Sequence, residues 1–360
     1  MGEPTKGDGV DDTRWARARA QTQRFLPVMA LAVVAVLAAA CETNLPQSTT
    51  VIEGSHNATL WVPYRMVFIL AAIVFVAVMA LTVIFSITYR ERPGRTARQF
   101  HGNTRLEIVW TLIPIIIVTM ISVPTVNAIV AEAQPIAANA LRVDAIGHQW
   151  WFEFVYLDEK VTTANELHIP EGREVAFNLK SVDVIHSFWV PQLAGKTDMV
   201  PGHVNDIKFT ALRARPEPYL GQCAEFCGTS HANMRFRVFV HTEADFAAWL
   251  KSAAANGANP ASALEKQGQE IFMRSACIGC HTVQGSAAAG KVGPDLTHVG
   301  SRTTIGSGIL VNTPETLEKW IANSADVKPG SKMPPMAKSD GGALSKEEIT
   351  AVAAYLSGLK

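Results

Sequence analysis

The sequence predicts a membrane-anchored, multidomain chain in three parts: a two-helix transmembrane hairpin, an all-β barrel and a small all-α domain. Three observations carry that prediction. Two apolar stretches, residues 60–89 and 108–130, each reach the ~20 residues a helix needs to cross a bilayer. Residues 137–250 turn to short β-rich runs broken by Gly, Pro and Asn clusters. Residues 263–360 open on an amphipathic helical pattern and deliver Cys277-Ile278-Gly279-Cys280-His281. A length of 360 residues fits two or three domains at ~150 residues each. The formal net charge of zero gives no basic surface for nucleic acid, while 48% hydrophobic residues and a positive mean hydropathy agree with membrane spans.

Residues 1–24 are polar and carry Arg14, Arg17, Arg19 and Arg24 ahead of an apolar stretch, 25–40, which is the layout of a secretory signal. Residues 1–41 therefore read as a leader. Its end, Ala38-Ala39-Ala40-Cys41, resembles a bacterial lipoprotein cleavage site with Cys41 as the lipidated residue. Ala38 departs from the larger aliphatic residue of that pattern, so ordinary cleavage and retention as a further span are the alternatives.

The transmembrane hairpin covers residues 60–131. Its first span has an uninterrupted apolar core at 66–87, and its second contains Pro114 and Pro124, tolerable where neighbouring helices satisfy the freed carbonyls. Arg90, Arg92, Arg95, Arg98 and Arg105 crowd the connecting loop, which the positive-inside rule places in the cytoplasm. Both flanks then face outward, as the basic leader independently requires.

In the β region the runs 141–146, 174–179, 206–210 and 235–240 alternate as in an antiparallel sandwich or barrel. Trp151, Phe152 and Phe154 read as a buried aromatic strand face. Scattered carboxylates such as Asp158, Glu159 and Asp183 read as a solvated face. Residues 221–234 gather Cys223, Glu225, Cys227, His231 and Met234, and His186 lies upstream. Two thiolates, two imidazoles and a thioether form a soft-metal donor set, and copper fits it best. Five side-chain donors exceed what one four-coordinate ion takes: either one is spare or two ions share the thiolates. A Cys223–Cys227 disulfide is the competing reading in an exported domain.

Residues 252–262, small and proline-containing, read as a linker. Beyond it, Cys-x-x-Cys-His is the c-type haem attachment pattern: Cys277 and Cys280 bond the haem and His281 ligates iron. A sixth ligand comes from Met333 or Met336. Thr313-Pro314-Glu315 and Ser345-Lys346-Glu347-Glu348 start two further helices, and Trp320 is expected on the haem's apolar wall. With Cys41, these assignments use all five cysteines and leave no disulfide framework.

The string Cys-x-Glu-x-Cys-x3-His-x2-Met, with His186-Ser187-x-x-x-Pro191 before it, resembles the dinuclear copper site CuA of subunit II of haem-copper oxidases. Glu107-Ile-Val-Trp110-Thr-Leu-Ile-Pro114 resembles the hairpin of the same family. The resemblance implies a cupredoxin-like Greek-key barrel over 137–250. It implies that both cysteine sulfurs bridge two coppers, that His186, His231 and Met234 complete them, and that Glu225 contributes its backbone carbonyl. The Glu225 side chain would help bind magnesium at the subunit I face. Trp150 matches an exposed tryptophan where electrons reach the copper, and residues 196–202 match a turn facing subunit I. Residues 263–360 are similar to class I c-type cytochromes, whose Lys-Pro-Gly-x-x-Met-Pro string selects Met333 over Met336 and whose Gly-Pro turn, here Gly293-Pro294, backs the haem histidine.

Together these resemblances imply subunit II of a cytochrome c oxidase with a fused cytochrome c domain. Expected partners are subunit I, subunit III, membrane lipid, and a c-type cytochrome or quinol–cytochrome c reductase complex as donor, with no nucleic acid. The expected location is the bacterial cytoplasmic membrane, both centres on the outer, periplasmic or extracellular face. Tethering by a short flexible linker would make the haem-to-copper encounter intramolecular, at an effective concentration of the order of mM. A nitric oxide reductase with a CuA subunit shares these features; a quinol oxidase subunit II lacks the copper ligands, and a copper-delivery lipoprotein needs neither haem nor two spans.

Overall fold

The computed structural model describes residues 45–91, 94, 96 and 102–360. The leader with Cys41, and Arg92, Arg95 and Arg98 of the basic loop, lie outside the described residues. Residues 52–360 form one compact unit.

Helices α1 (Ser55–Thr88) and α2 (Thr104–Glu132) are long and apolar enough to cross a membrane. At ~1.5 Å per residue the shorter one, 29 residues, exceeds the ~30 Å hydrocarbon core. Large apolar side chains such as Phe68, Phe75, Trp110 and Val118 point outward. Hydroxyls within the spans are satisfied locally, as where Thr82 and Thr119 each donate to the carbonyl four residues back at 2.8 Å. Asn103 caps α2 by accepting from the amides of Arg105 and Leu106. His56 and Glu132, 2.9 Å apart, join the start of α1 to the end of α2. Ser55 and Asn57 bind the β domain through the Thr210 amide and the Pro191 carbonyl. The same β domain holds the end of α2, where Lys208 donates to the Gln134 and Pro135 carbonyls.

Ten strands then form two five-stranded sheets. The first runs β3 (Val161–Ala164), β2 (Trp151–Tyr156), β1 (Leu141–His148), β5 (Glu174–Ser181), β8 (Asn205–Thr210). The second runs β4 (Glu166–Pro170), β10 (Arg235–His241), β9 (Tyr219–Cys223), β6 (His186–Trp189), β7 (Thr197–Met199). All four expected runs are strands, but the sheets are mixed, since β1 pairs with β5 and β4 with β10 in parallel. Parallel partners need crossovers, and a local alternation pattern does not report them. Residues 197–199 of the expected turn are strand β7, paired to β6.

The sheets meet through Phe152 and Phe154 on one side and Phe188 and Phe236 on the other, with ring centroids 4.7 Å apart for Phe152–Phe236. Trp151 corrects the expected aromatic face. It precedes Phe152 on β2, so the period-two alternation turns it away from the core, where it stacks on His148 at 4.0 Å.

Helix α3 (Glu243–Ala253) closes the β domain. The segment 254–262 is fastened rather than free: the Gly257 amide donates to Gln284, and the His298 imidazole bonds the Ala255 carbonyl at 3.0 Å. The last domain packs α4 (Ala263–Arg274), α6 (Pro314–Ala322) and α8 (Lys346–Gly358) around Ile271, Phe272, Leu317, Val352 and Tyr355. Short helices α5 (Cys277–Cys280) and α7 (Ser324–Val327) and the hairpin β11 (Thr304–Ile305) and β12 (Leu310–Val311) complete it. Thr313 and Ser345 cap α6 and α8 with reciprocal capping boxes.

Candidate metal and cofactor centres

All six donors expected around copper converge at one end of the β-sandwich. His186 opens β6, Cys223 ends β9, and Met234 immediately precedes β10. The three strands are adjacent, so the sheet itself gathers residues 48 positions apart. The Cys223 and Cys227 sulfurs lie 3.7 Å apart as free thiols. His186 Nδ1 is 3.9 Å from Cys223, His231 Nδ1 is 3.6 Å from Cys227, and Met234 Sδ is 3.8 Å from Cys227. The Glu225 carbonyl oxygen is 3.2 Å from Cys223 Sγ. His186 and Met234 are fully buried and both cysteines nearly so. A tight, dry cluster of sulfur and imidazole fits a soft ion.

The protons follow the geometry. The hydrogen bond from Cys227 is the largest influence on Cys223 and holds it well below the usual thiol range, while the same contact raises Cys227. Burial favours neutral His186, but its bonds to Cys223 and Asp183 outweigh that and raise it. Asp183 Oδ1 lies 2.8 Å from His186 Nε2, which orients Nδ1 toward the thiols. Asp183 also accepts from the Gln149 amide at 2.7 Å. Its reading as a solvated carboxylate is corrected: it is a structural partner of a donor histidine. Gly147 makes room for that ring, since a Cβ there would come within 2.7 Å of His186.

A cavity of about 540 Å³, within the range of cofactor sites, lies in the last domain where it meets the β domain. Cys277, Cys280, His281, Met333, Met336 and Trp320 line it. His281 Nδ1 faces the Pro294 carbonyl at 2.8 Å, and burial holds the imidazole below its usual value. A neutral ring donating from Nδ1 keeps the Nε2 lone pair for a metal. Gly293 lets this turn close on the ring, where a Cβ would approach to 2.6 Å. The two methionines differ. Met336 packs into the hydrophobic core and its backbone pairs with Ala322 and Leu344. Met333 lies outside that core, its carbonyl held by Ser324 Oγ at 2.9 Å.

Three family descriptions match in chain order: "Cytochrome C oxidase subunit II, transmembrane domain" over residues 38–128, "Cytochrome C oxidase subunit II, periplasmic domain" over 159–240, and "Cytochrome c" over 265–360. Cytochrome c oxidase subunit 2 of Alkalihalophilus pseudofirmus is 37% identical over 348 residues, covering 94% of this chain and 97% of that protein. The chain belongs to the cytochrome c oxidase subunit 2 family. The Bacillus subtilis member is 34% identical over 75% of this chain and 80% of its own length. The crystal structure of the periplasmic domain of cytochrome oxidase subunit II from Bradyrhizobium japonicum is 28% identical, covers 33% of this chain and 96% of that one, and gives a TM-score of 0.31.

Subunit 2 proteins are parts of an oxidoreductase complex, and the matched domains here imply copper, haem and a membrane anchor carrying extramembrane domains. Trp150 departs from the expectation in this subunit 2 chain. It is 8% exposed rather than open, because the cytochrome domain covers it. Its Nε1 donates to the Cys227 carbonyl at 2.9 Å, and it also lines the cavity. The sequence reading singled out none of four other residues at this junction, Glu166, Ser230, Ser307 and Lys328, and all are buried. Burial pushes the Lys328 amine down to about 7. The signal that could have marked Lys328 was its place at the head of the Lys-Pro-Gly string.

Proposed function

We propose that this chain is the electron-receiving subunit of a respiratory terminal oxidase. Electrons pass from a c-type cytochrome through a covalent haem c and a dinuclear copper centre to subunit I, where oxygen is reduced to water with proton pumping. The observation that carries this reading is Trp150, bonded to the copper-loop carbonyl of Cys227 while lining the haem cavity. In this reading His186, Cys223, Cys227, His231, Met234 and the Glu225 carbonyl hold copper. Cys277 and Cys280 would hold the haem covalently, and His281 and Met333 would ligate its iron.

When bound, the two groups would supply one-electron redox steps, and methionine ligation would favour a high haem potential. The chain's own part is to hold donors still. Asp183 and the Pro294 carbonyl fix the two histidine tautomers, and the paired strands under the copper donors resist rearrangement. The start of α1 and the end of α2 both reach the β domain. That common end is the outer face of a bacterial cytoplasmic membrane, with the basic loop in the cytoplasm. Subunit I meets the Glu225 side, whose carboxylate helps bind magnesium, and subunit III and lipid surround the helices.

Metal analysis and electron paramagnetic resonance on the full chain in detergent test the reading. Two coppers sharing one unpaired electron, beside one covalent low-spin haem, is the expected result. One copper or none, with Cys223 and Cys227 joined as a disulfide, overturns it.

A further inference from the structure

One strip of chain, residues 328–333, runs from the copper loop to the haem cavity. Lys328 Nζ, in a residue 3% exposed, donates to the Trp150 carbonyl at 2.5 Å, to Ser307 Oγ at 2.8 Å and to the Gly306 carbonyl at 3.3 Å. Ser307 Oγ donates to the same Trp150 carbonyl at 2.8 Å. Ser230, the neighbour of His231, donates to the Pro329 carbonyl at 2.5 Å. Gly330 lies against the Trp150 ring so closely that a Cβ would come within 2.8 Å of it. Lys332 reaches Asp183, the partner of His186, at 3.4 Å. The next residue is Met333.

A second anchor lies across the junction. Glu166 of the β domain, 2% exposed, accepts at Oε1 from the amides of Thr303 and Thr304 at 2.9 and 3.0 Å and from their hydroxyls at 2.6 and 3.3 Å. Ser307 sits at φ +66, a left-handed conformation uncommon for a residue with a Cβ. Such a conformation persists where surrounding contacts over-determine it, and here the hydroxyl it aims is the one on Trp150. Buried, directional bonds of this kind specify one arrangement, whereas exposed charges only steer an encounter.

We infer that Lys328 is a positioning residue for haem-to-copper transfer: with Ser307 it fixes the Trp150 carbonyl and locks the cytochrome domain on the copper loop in one geometry. This rests on the two-centre reading above. The step moves one electron from the reduced haem to the oxidised copper centre, with no bond made or broken in the chain. The lock has two consequences. Transfer occurs within a standing contact rather than after a diffusive swing of the domain, and Trp150 is closed to any external donor protein, which must deliver to the haem side.

The test is flash photoreduction of the full-length holo-chain in detergent by a ruthenium polypyridyl dye, following haem reoxidation by transient absorbance. In the wild type the rate should be unchanged between ~10 mM and ~1 M salt, where the Debye length falls from ~30 to ~3 Å. Lys328→Met should slow transfer severalfold, since the two domains are no longer held in one geometry. Both cofactor spectra and the haem potential should stay as in the wild type, and Lys328→Arg should restore part of the rate. Ser307→Ala, which keeps the lysine, should slow transfer in the same direction and serves if Lys328→Met does not fold. A wild-type rate that falls with salt, or wild-type transfer in Lys328→Met or Ser307→Ala, overturns the lock while leaving the two-centre reading intact. Absence of either cofactor signal in the wild type removes that reading and the inference with it.

Discussion

The indole Nε1 of Trp150 donates to the carbonyl oxygen of Cys227 at 2.9 Å, and the side chain of Gln149 donates to the same oxygen at 2.8 Å. The loop from Cys223 to Met234 is thus held from outside by two consecutive residues that also line the cavity. Trp150→Phe keeps an aromatic surface but removes the donor, while Gln149 still satisfies the carbonyl. Haem-to-copper transfer should slow severalfold, with both cofactors retained. Transient absorbance reads the rate, and an unchanged rate removes Trp150 from the path.

Cys227 touches the sulfurs of Cys223 and Met234 and the ring of His231. Cys227→Ser replaces the central soft donor with a hard, poorly ionising hydroxyl. The dinuclear copper resonance should vanish and the haem absorption band should stay. Unchanged copper content and spectrum would refute the donor assignment.

Asp183 holds His186 Nε2 at 2.8 Å. Asp183→Asn keeps the shape but lets the amide present either donor or acceptor, so the His186 tautomer is no longer fixed. Losing such a partner typically costs ~10–100-fold in metal affinity. Competition titration against a copper chelator should show a loss of that order; equal affinity would make Asp183 a packing residue only.

Met333 and Met336 separate by their surroundings, the first outside the hydrophobic core and the second within it. Met333→Leu should lower the haem potential or convert the iron to high spin. Met336→Leu should leave the spectrum alone and cost less than about 1.5 kcal/mol, as volume-conserving core swaps do. The reverse pattern in absorption and redox titration would assign the ligand to Met336.

His168 and His241 share one hydrogen bond at 2.8 Å, and His168 stacks between Trp249 at 4.3 Å and Phe239 at 4.8 Å. Burial, then His241 and Arg302, hold His168 well below its ordinary 6.5. The folded chain therefore keeps it neutral while the unfolded chain protonates it below that pH. More protons on the unfolded side means stability falls as pH drops through 6.5. The slope reaches roughly 1.4 kcal/mol per pH unit for His168 alone. Urea midpoints of the full chain on the acid side should show this slope, and His168→Gln should flatten it; identical slopes would rule the residue out.

By itself the sequence determined the two spans, the strand-rich middle, the helical end and where candidate donors cluster. These are local properties. The candidate donors Cys223 to Met234 fall within one loop, and the Cys-x-x-Cys-His pattern within five residues, so chain spacing alone brings them to notice. Only the tertiary structure decided the rest. Asp183 reads as a surface charge until β6 brings His186 onto it, and Trp151 reads as core until the pleat assigns it the opposite face. The junction is less legible still: Lys328 and Trp150 are 178 residues apart, and Glu166 and Thr303 are 137. No periodicity or motif couples such positions. Their pairing exists because the β-rich and helical parts of one compact unit bury complementary polar groups against each other, and that burial, not any property of the residues alone, covers a tryptophan expected to be exposed.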